Sequence, residues 1–237
     1  FLKDNPTYIS SEKTRQYMVE KCQACRDDMM REVNPKELVG SEIVIPNYII
    51  EKNSPLHPEL LDWKAISFAC VKQTGDTLLW NENLKILYAS EVVFNNSIPS
   101  LSKGHTKPWV RGLEFLRALK PTHVIGSGTV SSFDDFKTEA LGFNIKYLSL
   151  IYEIAKKDYL LGVFREFGSL PNGLADFINT PGFDKRHNLN YQKVSREIEL
   201  EAFNQNVKCP PLSKHFVERE SKQEFEGKLT GVDPLVL

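Results

Sequence analysis

The chain has 237 residues, 41% hydrophobic and 26% charged, with a formal net charge of −1. This is the composition of an ordinary globular protein, and its near-neutral balance provides no basic field to hold nucleic acid. No apolar run approaches the roughly 20 residues that span a bilayer, and the opening FLKDNPTYISSEKTRQ brings charge and proline too early for a secretory signal.

Residues 10–33 predict one amphipathic helix. Ser10 or Ser11 is its N-cap, Tyr17, Met18, Cys22, Cys25 and Met29 form its apolar stripe, and Asn34-Pro35 stops it. Cys22 and Cys25 make a C-x-x-C, but no second pair and no neighbouring histidine accompanies them. They read as two buried or half-buried helix cysteines rather than a redox pair or half a zinc site. Four cysteines in a chain of this length do not make a disulfide scaffold. Taken as unpaired, and with no signal segment, they favour an intracellular, reducing location.

EIVIPNYIIEKNSP alternates like strand material with a proline break. The most sheet-like region follows, with short strands predicted at 64–71, 77–80 and 85–89 and turns at Gly75-Asp76 and Asn81–Asn83. WVRGLEFLRALK, stopped by Pro121, carries the apolar spacing of a helix. THVIGSG then returns as a strand, so the Gly126-Ser127-Gly128 turn lies at a strand's carboxyl end, where α/β folds place ligands. Helical spacing dominates from about 133 to 167 and again near 184–206. The proline-broken, charged segment 207–237 reads as an arm outside the core, able to lie on a partner chain or to remain a loosely ordered tail.

Motif order carries a resemblance. TGDTLLW, ILYASEVVFNNSIPSL and LEFLRALKPTHVIGSGTV resemble the second half of a metallo-β-lactamase-fold hydrolase, on the quinoprotein-associated zinc metallohydrolase-like branch. There the corresponding run holds His-Thr-x-Gly-Asp-Thr, a strand ending in Gly-Asp, and Pro-Gly-His-Gly. NPTYISSEKTRQYM resembles the segment after that family's first metal motif, and DKRHNLNYQKVSREIELEAF its closing helix. The likeness covers residues 1–206 and implies an α/β fold, a metallo-β-lactamase-like αββα sandwich lacking most of the first half. Residues 207–237 have no counterpart.

In such hydrolases histidines and a bridging aspartate hold one or two zinc ions and lower the pKa of a bound water. Carried over, the resemblance puts Lys72 at a ligand histidine, Ser90-Glu91 at the Gly-Asp pair and Ser127 at the Pro-Gly-His-Gly histidine. The first motif, His-x-His-x-Asp-His, would fall before Phe1. An ammonium has no lone pair for zinc, and a hydroxyl is a poor ligand beside an imidazole, so only Glu91 keeps ligand character. Burying Glu91 alone is costly, so a Lys72–Glu91 ion pair is the expected compensation, with Ser127 hydrogen-bonding to it.

Three readings follow. The first is a catalytically inactive member with no zinc and no catalytic residues, serving as a structural or interaction subunit of a larger assembly and reaching other chains through residues 207–237. The second is a zinc-dependent hydrolase whose first motif lies upstream or on another chain, with Glu91 completing its ligand set. The third is an anion-binding module on Gly126-Ser127-Gly128, although that stretch lacks a P-loop lysine and a third glycine. The resemblance to bacterial respiratory-associated proteins also suggests a mitochondrial setting. Other tempting residues read as structural. His105 falls in the loop before the Trp109 helix, His57 lies in a loop between prolines, and His123 points to the sheet face opposite the site. Arg186-His187-Asn188 hold their helix to the core, and Asp76 bonds backbone amides of its own turn.

Overall fold

The computed structural model describes residues 6–33, 42–50, 60–68, 70–72, 75–128, 139–163 and 173–203, together with 37, 40 and 56. The proposed arm at 207–237 and His57 lie outside the described residues. No described helix is long and apolar enough to cross a membrane.

Strand β1 (Ile9–Ser11) runs directly into helix α1 (Glu12–Glu32) and pairs in parallel with β2 (Tyr48–Ile50). Ser11 is the N-cap, its hydroxyl accepting the Thr14 N–H at 3.2 Å. No α1 side chain is buried, and Tyr17 and Met29 are each about half exposed. The expected apolar stripe is therefore not part of the core. Three-residue strands extend only about 10 Å, too short to cover a helix of roughly 30 Å. Cys22 is half-buried and Cys25 exposed, both free. Cys70, just beyond the next strand, is disulfide-bonded. That corrects the expectation of unpaired cysteines and removes its support for a reducing compartment.

The main sheet has the order β3 (Trp63–Phe68), β4 (Asp76–Asn81), β5 (Ile86–Asn95) and β6 (His123–Gly128). The first three strands are antiparallel neighbours, and β6 joins β5 in parallel. A parallel pair needs a crossover, supplied here by α2 (Thr106–Ala118). Helix α3 (Glu139–Leu161) packs on α2 and β5, and α4 (Phe183–Ala202) packs on α3. The core includes Leu78, Leu87, Val93, Trp109, Leu113, Leu148, Ile151 and Val194. The Trp109 indole N–H donates to the Val92 carbonyl at 2.8 Å, satisfying the one polar group of a fully buried side chain.

A buried polar network fastens α3 to α4. Asn190 donates to Pro99 O at 2.7 Å and to Tyr147 Oη at 3.1 Å, and its carbonyl accepts the Leu101 N–H at 2.9 Å. His187 stacks on Phe183, with ring centroids 4.7 Å apart, and places Nδ1 3.3 Å from Tyr147 Oη. The expectation that His187 holds its helix to the core is met in this network.

Candidate functional site

The positions singled out by sequence lie at the carboxyl ends of β3 and β6 and on an irregular part of β5. In the β5–β6 register Ser90 is opposite Gly126 and Phe94 is opposite Ser127. Glu91, Val92 and Val93 fall outside that register and form a bulge, which re-aims side chains. Glu91 is turned toward solvent, while Val92 and Val93 are buried. Ser90 enters the bulge at φ 47°, a left-handed conformation that a serine adopts less readily than a glycine. Asn144 of α3 clasps the Phe94 backbone just after the bulge, accepting from Phe94 N at 3.1 Å and donating to Phe94 O at 2.8 Å.

Gly126 passes under this bulge. A β-carbon there would collide with the Val93 carbonyl and the Asn95 side chain, so the first glycine of the turn is required by close backbone approach. Gly75 has a different reason, since it turns the chain at φ 88°. Its carbonyl accepts the Thr14 hydroxyl at 3.1 Å, joining the start of α1 to the β3–β4 turn. In that turn the Asp76 carboxylate accepts the Lys72 N–H at 2.8 Å, as expected from the sequence.

The Lys72 side chain is 8% exposed, and its ammonium stands 3.9 Å from Glu91 Oε2. The ion pair expected from the sequence therefore forms, although at a separation longer than a hydrogen bond. Burial holds the Lys72 ammonium below the usual lysine range, while Glu91 and Asp76 pull it upward. The ammonium is also 6.0 Å from the Trp109 ring. Ser127 is half-buried, and among the described residues no hydrogen bond joins it to Lys72 or Glu91. The predicted third member thus stays out of the pair.

The histidines lie elsewhere. His123 is exposed at the start of β6, 3.1 Å from the Thr122 hydroxyl, at the far end of that strand from Ser127. His105 is the residue before α2, and it is more than a surface histidine. Its N–H donates to Val71 O at 3.1 Å, and its Nδ1 lies 3.7 Å from the nearly buried Glu197 carboxylate. The other Glu197 oxygen accepts the Thr106 N–H at 3.1 Å, capping α2 from another helix. Nothing in local spacing could have revealed Glu197, which is 91 residues away from Thr106.

Among the described residues no three His, Cys, Asp or Glu side chains come together to hold a metal. Among the described residues the group paired with Glu91 is an ammonium, which has no lone pair to offer zinc.

No protein-family model matches the sequence, and no curated protein does. Solved structures do. A metallo-β-lactamase family protein from Thermus thermophilus superposes with a TM-score of 0.51 at 11% identity, covering 84% of this chain and 68% of that one. The fold is that of the metallo-β-lactamases. A metallo-β-lactamase from Pontibacter korlensis gives a TM-score of 0.42 at 13% identity over 60% of this chain, which spans 58% of that protein's length. At such identities the likeness extends to the metallo-β-lactamase fold and no further. In this chain the bulged β5, the Gly126 turn and Lys72 lie at the same edge of the main sheet, where β3, β5 and β6 end.

Proposed function

We propose that this chain is a catalytically inactive metallo-β-lactamase-like protein that serves as a structural or interaction subunit of a larger assembly. The observation that carries the reading is the Lys72–Glu91 pair at 3.9 Å. A buried ammonium beside the one carboxylate with ligand character repels a divalent cation and neutralises the charge that would have bound it. With Ser127, Lys72 and Glu91 make up the set of degenerate ligand positions, and the quinoprotein-associated branch is the resemblance that defines them. Residues 207–237 are the segment through which the chain would reach its partners.

Elemental analysis of the full-length protein, together with hydrolase assays before and after zinc loading, tests this. Less than about 0.1 zinc per chain after loading and dialysis is expected, since site affinity depends on a complete ligand set. Stoichiometric zinc with hydrolysis that chelator abolishes would instead establish the second reading, a hydrolase completed by a motif upstream or on another chain.

A further inference from the structure

Helix α1 gathers the softest donors of the chain. All three methionines, Met18, Met29 and Met30, and the cysteines Cys22 and Cys25 fall within it. At about 100° per residue, Met18, Cys22, Cys25 and Met29 occupy one arc of roughly 60° on its surface. Each lies one helical turn from the next, with Cβ atoms about 5–6 Å apart. The helix itself therefore sets four sulfurs in a row. No side chain of α1 is buried; Met18 and Cys22 are half-buried, Cys25 is exposed and Met29 is 51% exposed. The Cys25–Met29 end of the row is open to solvent.

Geometry and donor type decide what this row suits. Cys22 and Cys25 are free thiols, although Cys70 of the same chain is disulfide-bonded. A disulfide needs Cβ atoms about 3.5–4.5 Å apart, closer than one helical turn brings them. So α1 keeps the two as a dithiol, at a separation that a single metal ion bridges. Thiolates flanked by thioethers are the donor set of copper(I). Zinc takes thiolate, imidazole and carboxylate, and between Met18 and Met29 the row holds no histidine and no carboxylate. The nearby acids are engaged within the helix, Asp27 accepting from Gln23 at 2.9 Å and Asp28 lying 3.0 Å from Arg31. Lys21 and Arg26 flank the row on its two sides, one turn from Cys25 and Cys22 respectively.

We propose that Met18, Cys22, Cys25 and Met29 form a copper(I) site on α1. The ion binds between the two cysteine sulfurs, each of which gives up its proton, so one monovalent cation replaces two protons and no electron is transferred. The anionic bis-thiolate that results lies between the positive charges of Lys21 and Arg26, which favour it. Met18 and Met29 add thioether contacts at either end of the pair. Two thiolates satisfy a soft monovalent ion, so the site requires no third His, Cys, Asp or Glu. It lies on a different element from the Lys72–Glu91 edge and takes a different class of ion, and it does not depend on the inactive-subunit reading.

Anaerobic titration of the full chain with copper(I) held by the coloured chelator bicinchoninate tests the proposal, without added thiol so that the Cys70 disulfide stays intact. About one copper per chain should leave the chelator, and about two protons should be released. Cys22→Ser and Cys25→Ser should each weaken binding by about 100-fold or more, since even the loss of an outer-shell group costs about 10- to 100-fold. Met18→Leu combined with Met29→Leu should weaken it about tenfold. All four side chains lie outside the core, so the variants keep the fold, and circular dichroism checks that they do. Failure of the wild type to take copper from the chelator overturns the proposal. So does one copper still bound by the Cys22→Ser, Cys25→Ser double variant. Unchanged affinity in the double methionine variant also overturns the four-sulfur site.

Discussion

Two polar regions of this fold handle burial in opposite ways. Between α3 and α4, Tyr147, His187 and Asn190 sit deep in the core, and Asn190 makes three hydrogen bonds of 3.1 Å or less. At the sheet edge, Lys72 is nearly as buried, but its ion pair with Glu91 is 3.9 Å long, and Asp76 adds a further attraction. A closed network of neutral groups fixes one geometry because every lost bond leaves a buried orphan. A long ion pair with one exposed member fixes little. The first region is the one that holds the helices together.

The largest expected effect breaks the closed network. Asn190→Leu strands the Leu101 N–H and the Pro99 carbonyl, leaves the Tyr147 hydroxyl with His187 alone, and should lower unfolding free energy by about 2–4 kcal/mol. Urea melts with an unchanged m-value measure it, and a loss under about 1 kcal/mol would show that the network contributes far less than its burial implies.

Next comes Gly126→Ala, which should cost about 1–3 kcal/mol, since the added carbon meets backbone at the bulge. A neutral result in the same melts would mean that the bulge yields without strain.

A third effect separates the regions by pH. Burial lowers the pKa of His187, so the unfolded chain takes up a proton that the folded chain refuses. Stability therefore falls as pH drops below the ordinary imidazole range toward the lowered folded value, and is fully present above that range. Melts of wild type and His187→Phe between pH 5 and 7.5 should differ in slope, with the shallower dependence in the variant. Parallel curves would remove His187 as the titrating group.

The smallest effect is at the sheet edge. Lys72→Met should change stability by less than about 1 kcal/mol in either direction, because an apolar side chain of similar length replaces an incompletely paired buried charge. A loss above about 3 kcal/mol would make the pair a structural element like the α3–α4 network.

Much of the fold was legible in the chain. Ser11 capping α1, the β3–β4 turn at Gly75-Asp76, the helix before Pro121 and the strand entering the Gly126 turn are local signals, written in a few neighbouring residues. The Lys72–Glu91 pair was also within reach through motif order, although the expected reason for it fails: Glu91 is exposed, and the buried member is Lys72. Three matters were not. The α1 stripe has the right period but meets strands too short to cover it. Ser127 stands in the expected turn, yet among the described residues no hydrogen bond joins it to Lys72 or Glu91. Glu197 and Arg186 enter through contacts between elements far apart in sequence.

The sequence by itself determined which segments become strands and helices and where they turn. Those properties depend on backbone preferences and side-chain chemistry acting over a few residues. Only the tertiary structure decided how closely Lys72 meets Glu91, that Glu91 is turned to solvent while Lys72 is buried, and that Arg186 of α4 holds the Ile98 carbonyl after β5. Such relations depend on a bulge and on hydrogen bonds between β5, the following loop and α4, where small shifts in register decide which charges meet.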